Sequence, residues 1–338
     1  MTTPALSSAH HPTARLRAAG AALAALGGVC LAVQGRINGQ LGRQLHDGVL
    51  AALISFSVGS VLLLAVLPVL PAARAGFGRL REALRTEAKT AGSRATGSRT
   101  LALRPWQLLG GTCGAFLVTT QGFTVSILGV AVFTVAVVAG QIVTSLPVDR
   151  AGLGPGGPQP ITLPRAVGAS LAVVAVIVSV SDHGAVTDPG GLWWAVLPAV
   201  AGLGLAWQSA VNGRVRAAAD NVVVPTIVNF LVGTSVLVVA TAFDLVFNGL
   251  PDALPGQWWL YAGGTMGIVA IMTAVTAVRV TGVLLLGMAS VAGQLAGAVL
   301  LDLFVPAADA GLSVTRVVGI TLTMVAVGIA AIRVRPRR

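Results

Sequence analysis

Ten runs of about twenty mainly apolar residues constrain this 338-residue chain more than any other feature. They fall near residues 16–41, 49–70, 106–127, 130–148, 163–181, 192–211, 222–247, 258–278, 283–303 and 317–332, with short basic or glycine-rich gaps between most of them. In hydrocarbon every backbone N–H and C=O must find a partner inside its own segment, so runs of this kind fold as helices. The charge content argues against a water-soluble enzyme. Asp, Glu, Lys and Arg make up 10% of the chain, against roughly 25% in an average soluble domain. The expected fold class is an all-α polytopic membrane protein with ten transmembrane helices.

Charge then orients the helices. With the N-terminus in the cytoplasm, all of the 22 Lys and Arg except Arg36, Arg43 and Arg316 fall on the cytoplasmic side, as the positive-inside bias requires. One helix too many or too few would reverse every later gap and scramble this asymmetry. Both termini are therefore expected in the cytoplasm, with the first span retained and not cleaved as a signal peptide. The net charge of +11 lies in the gaps and not along one helix face, so it marks membrane edges and gives no reason to expect nucleic acid. Residues 74–104 form the one sizeable gap, read as a basic cytoplasmic linker. Its stretch from Phe77 to Arg85 has an alternative reading as a basic amphipathic helix lying on the membrane. Cys30 and Cys113 sit inside apolar runs, where a thiol acts as a small hydrophobe. No metal-ligand cluster, nucleotide loop or cofactor motif is evident, and no cofactor is expected.

The chain also repeats itself. Gln34, Asn38 and Gly39 recur as Gln208, Asn212 and Gly213, and Phe56, Val58 and Gly59 as Phe230, Val232 and Gly233. Gly110-Gly-Thr-Cys-Gly114 recurs as Gly263-Gly-Thr-Met-Gly267, followed in order by Gly140-Gln141 with Gly293-Gln294, Asp149 with Asp302, and Arg165 with Arg316. The reading is a tail at 1–15, a five-helix repeat at 16–182, a second at 192–333 and a basic tail at 334–338. Five is odd, so the second copy enters the membrane from the opposite face. Inverted repeats of this kind belong to alternating-access transporters, with the substrate near the midplane between the halves.

Three elements carry a family resemblance: Gln34-x-x-x-Asn38-Gly39, Ser55-Phe56-x-Val58-Gly59, and Gly140-Gln141-x-x-Thr144-Ser145-Leu146-x-x-Asp149-Arg150-x-Gly152-Leu153. With them the chain resembles the YdcZ-like inner-membrane exporters of the drug/metabolite transporter superfamily, over nearly its whole length apart from the N-terminal tail and the long loop. The resemblance implies ten helices and small-molecule efflux or uptake across the inner membrane. The second copy departs from the pattern, with Gly297, Ala298 and Val299 where the first has Thr144, Ser145 and Leu146.

Gln34 and Asn38 are four residues apart and share a helix face, as do Gln208 and Asn212. With Gln141 and Gln294, which lie well inside their spans, they form the candidate substrate pathway. The competing reading is interhelical glue, worth about 0.6–2 kcal/mol per contact in a membrane. The glycine pairs read as close helix packing. Asp149 and Asp302 end equivalent helices and are candidate gates, with hydrated headgroup-level carboxylates as the alternative, Asp149 beside Arg150. Trp207 is a candidate for stacking on substrate, or an interfacial anchor. No Asp or Glu occupies the middle of a span, which argues against proton antiport of cationic drugs. The expectation is a secondary transporter of a small organic molecule, with a non-transporting accessory or structural membrane protein as the alternative. An intramembrane enzyme lacks a nucleophile or paired acids at midplane depth.

Overall fold

The computed structural model describes residues 13–90, 103–180, 194, 196–249, 251, 253–304 and 314–332. Among them the regular elements are all helical: α1 (Ala14–Leu45), α2 (Gly48–Val66), α3 (Pro71–Thr90), α4 (Gly110–Arg150), α5 (Leu163–Val180), α6 (Val196–Ala219), α7 (Val223–Asn248), α8 (Gly263–Phe304) and α9 (Val314–Ala331). Four described segments are long and apolar enough to cross a membrane: Ala14–Leu45, Gly48–Val69, Val223–Phe247 and Trp258–Gly297.

The local chemistry of the helix ends repeats with the sequence. His46 and Asp220 adopt positive φ, at 54° and 47°. Asp47 then accepts from the N–H groups of Val49 and Leu50 at 2.8 and 3.0 Å. Asn221 accepts from those of Val223 and Val224 at 2.8 and 3.2 Å. The α1–α2 and α6–α7 turns thus share one design: a left-handed residue ends one helix, and the next side chain satisfies the open donors of the following helix.

The two longest helices are not single rods. A straight helix would separate Cys113 from Val137 by about 36 Å. Yet a Cβ on Gly204 would sit 3.0 Å from Cys113 Sγ, and one on Gly202, two residues away, would overlap the Val137 carbonyl. Thr273 and Ser290 of α8 likewise close on the adjacent Gly27 and Gly28 of α1. Each long helix therefore consists of two arms folded back beside one partner. In α8 the break is Gly282, at φ 75° and ψ 175°.

The helices pair across the repeat: α1 with α8, α4 with α6, α2 with α7, and α5 with α9. The core at the α4–α5–α8–α9 junction holds Ile142, Ala172, Met288 and Ala326. Glycines and alanines at these crossings let backbones approach closely, which is how helices gain packing energy where no water is left to expel.

The segment expected as a linker folds over its first part. Pro71–Thr90 is helical, and Leu80 packs with Leu103, Val215, Ala219 and Val224. Arg79 donates to the carbonyls of Ala219 and Asp220 at 2.8 and 3.4 Å. The apolar stripe of the amphipathic alternative is present, and it lies against the end of α6.

Candidate functional site

Gln34 and Asn38 on α1, and Gln208 and Asn212 on α6, are all buried, none more than 9% exposed. Each lies against a glycine of a helix belonging to the other sequence repeat. A Cβ on Gly110 would sit 2.6 Å from Asn212 Oδ1, and one on Gly114 would lie 3.3 Å from Gln208 Oε1. In the second copy a Cβ on Gly263 would overlap Asn38 Oδ1, and one on Gly267 would lie 2.8 Å from Gln34 Nε2. Both glycine pairs therefore leave room for amides, a role that sequence spacing had not separated from helix packing.

Between these clusters Phe56 and Phe230 pack ring to ring, with centroids 5.2 Å apart and planes tilted by 40°. Gly59 lies under the Phe230 ring and Gly233 under that of Phe56, and Ser60 and Thr234 hydroxyls meet at 2.8 Å. Gln34 and Gln208 flank this aromatic pair, through Gly267 and Gly114.

The two clusters differ in their second polar residue. Asn212 donates to Asn229 Oδ1 at 2.9 Å. The equivalent positions carry Asn38 and Ser55, which make no such bond: Asn38 Nδ2, Asn38 Oδ1 and Ser55 Oγ are buried without a partner. Gln208 Oε1, Asn229 Nδ2 and Gln141 Oε1 are also unsatisfied. Asn229 was missed from the sequence; the repeat that pairs Phe56 with Phe230 sets it opposite Ser55 and is the signal that could have found it.

Gln141 and Gln294 belong to a second layer. The backbone N–H of Gln141 closes on Gly202 of α6, and that of Gln294 on Gly28 of α1. Each glycine is six residues from the glutamine of the first layer, about 9 Å along the helix. Gln141 is buried and Gln294 half-buried. Ser145 donates to the Gln141 carbonyl at 2.6 Å, and a Cβ on Gly287 would lie 3.4 Å from both Gln141 Nε2 and Ser145 Oγ. Thr144 is half-buried beside them.

Asp149 differs from the hydrated carboxylate beside Arg150 in partner and in burial. It is 3% exposed and ion-paired with Arg165, while Arg150 is exposed. It also accepts from the N–H groups of Val283 and Leu284, at 2.8 and 3.1 Å. The end of its own helix disfavours an anion, but the carboxylate caps the start of the second arm of α8, where the dipole favours it. Arg165 Nη1 donates to Gln159 Oε1 at 3.2 Å, and a Cβ on Gly282 would lie 2.7 Å from Gln159 Nε2 and 3.1 Å from Asp149 Oδ2. The positive φ and this close approach both require glycine there. The side chain of Asp302 lies outside the described residues. Trp207 stacks on Trp106, with centroids 6.0 Å apart and planes 18° from parallel, so one ring face is already covered.

A duplicated, all-helical frame with buried amides at its crossings is matched by the family model described as "Putative inner membrane exporter, YdcZ", over residues 19–178 and 193–329. The chain belongs to this family. It is a multi-pass membrane protein of a transport family, with lipid as its surroundings and a small molecule as the implied cargo. A solved structure titled only "Crystal structure of protein" is similar in fold, with 18% identity, a TM-score of 0.62, and coverage of 93% of this chain and 96% of that one. No curated protein matches.

Proposed function

We propose that the chain is a secondary transporter that moves a small organic molecule by alternating access between two inverted five-helix halves, 16–182 and 192–333. It crosses the membrane ten times with both termini in the cytoplasm. The supporting observation is the exchange of contacts: the amides of each half sit against the glycines of the other, at Asn38 with Gly263 and Asn212 with Gly110. The double-armed α4 and α8 agree with the count of ten. When two halves of similar structure clasp each other, swapping their arrangements yields a second state of similar energy that opens to the other side.

In this reading Gln34, Asn38, Gln208 and Asn212 line the pathway, with Gln141 and Gln294 in the next layer. The Phe56–Phe230 pair is the apolar plug between the two glutamines. Trp207 would meet substrate with the ring face that Trp106 leaves open. Asp149 and Arg165 hold the α4–α5 loop on the break of α8 and act as a cytoplasmic gate. The same two residue types recur at Asp302 and Arg316, assigned to the opposite face as the second gate.

The test uses the Ser60–Thr234 contact between α2 and α7. In a background with Cys30 and Cys113 changed to Ala, Ser60→Cys with Thr234→Cys places two thiols where the hydroxyls meet. The probe is a metabolite selected by thermal shift on the purified protein. Oxidation is expected to abolish counterflow in liposomes while leaving probe binding intact, and a reductant should restore it. Unchanged counterflow in the cross-linked protein would contradict movement between the halves.

A further inference from the structure

Near the start of α1 a pocket of about 500 Å³ opens between three helices. Leu16, Ala19 and Leu23 of α1 and Val280 of α8 form its apolar wall, and Arg216 of α6 and Arg279 of α8 supply its charge. Its floor is the crossing at Gly20, where a Cβ would lie 2.7 Å from Val280 Cγ2 and 2.9 Å from Thr281 Cγ2. None of these residues belongs to the amide layers or to the Asp149 gate.

The charge in this pocket is not balanced. Arg216 Nη1 donates to the carbonyls of Val275 and Thr276, both at 3.3 Å, and its other donors have no partner among the described residues. Arg279 is exposed and ion-paired with no described residue. Burial lowers the pKa of Arg216, and the like charge of Arg279 lowers it further, against an opposing effect of Asp220. The two guanidiniums line the pocket, and Asp220 does not. Arg15 and Arg17 lie in the first turns of α1, which has no acidic residue in its first turn, and the helix dipole there adds positive potential.

We propose that this pocket binds the phosphodiester of an anionic phospholipid, with one acyl chain along Leu16, Ala19, Leu23 and Val280. Guanidiniums are suited to phosphate because their planar N–H donors match two of its oxygens at once. The aliphatic wall selects a phosphate that carries a chain over a free one, and basic pockets between helices at a membrane edge recognise anionic headgroups in this way. Since α1, α6 and α8 come from both halves, the lipid would join them on one membrane face.

Native mass spectrometry of the full chain in detergent tests this, with phosphatidylglycerol, phosphatidylcholine or inorganic phosphate added separately. Wild type is expected to retain one phosphatidylglycerol and to hold phosphatidylcholine at least about tenfold more weakly. Arg279→Gln should weaken phosphatidylglycerol by about tenfold, and Arg216→Gln with Arg279→Gln should abolish retention. Arg81→Gln, on the exposed face of α3, should change nothing. Because Arg279 is exposed, its single substitution carries the test even if the double variant does not fold. Equal retention of both lipids, retention unaffected by Arg279→Gln, or displacement by millimolar inorganic phosphate would each overturn the proposal, the last by identifying a free-anion site.

Discussion

The cluster around Asn38 and the cluster around Asn212 have the same frame and different contents. In each, an amide four residues from a glutamine meets the first glycine of a Gly-Gly pair on a helix of the other repeat. In the second cluster Asn229 accepts the amide's hydrogen bond, though Asn229 Nδ2 and Gln208 Oε1 stay unpaired; in the first, Ser55 makes no such bond and Asn38 is left with both its amide atoms unpaired, as is Ser55 Oγ. An unsatisfied buried polar group costs about 1–3 kcal/mol. A duplicated sequence therefore does not give its two copies the same polar pairing, and one substituted position, Ser55 against Asn229, separates them.

The largest expected effect tests the shared frame. A Cβ on Gly111 would overlap the Asn229 carbonyl, and one on Gly264 the Ser55 carbonyl. Gly111→Val and Gly264→Val should each lower stability by about 3 kcal/mol through overpacking, read as thermal melting in detergent. Similar losses at the two sites would establish equivalence, and tolerance at one alone would break it.

A smaller effect tests the difference. Asn212→Leu removes the partner of Asn229 and should cost about 1–3 kcal/mol, whereas Asn38→Leu removes two unpaired atoms and should be nearly neutral. Ser55→Asn offers Asn38 the missing partner and should recover about 0.6 kcal/mol, the average such contact in a membrane. Equal losses for the two Asn→Leu variants would show that the asymmetry has no energetic weight.

The smallest effect concerns the paired turns, where Asp47 caps α2 and Asn221 caps α7. Burial raises the pKa of Asp47, and Asp244 adds to the shift through its charge and a hydrogen bond, against the lowering effect of the Leu50 and Val49 N–H groups. Below the ordinary carboxylate range both folded and unfolded chains hold the proton, so the group contributes nothing to pH dependence. As pH rises the unfolded chain ionises first, and stability falls until the folded pKa has been passed. Asp47→Asn should flatten melting temperature against pH in this acidic window, and Asp244→Asn should do so in part. An unchanged profile in both would remove the pH sensitivity assigned to this turn.

Much of this molecule is legible in its sequence because two of its signals are local. Apolar runs report the solvent of each helix, and four-residue spacing reports that Gln34 with Asn38, and Gln208 with Asn212, share a face. The residue order also holds the repeat, including the Arg165 and Arg316 positions that complete it. Asp149 was harder to read: its neighbour Arg150 is exposed, and the partner it takes, Arg165, lies across the α4–α5 loop. In the segment after residue 70 the sequence offered a helix over Phe77 to Arg85 only as the alternative to a solvated linker, because a composition rich in Arg, Ala and Gly suits both until Leu80 finds Val215 and Ala219.

By itself, then, the sequence determined that this chain folds as helices in lipid, that it is duplicated, and that its polar side chains fall on chosen faces. Only the tertiary structure decided that α1 lies along α8 and α6 along α4, that the glycine pairs receive amides, and that Asn212 is paired while Asn38 is not. The physical reason is that a helix's period is set by its own backbone. Contact between helices depends on how closely two backbones approach, and that distance is set jointly by residues that no local pattern relates.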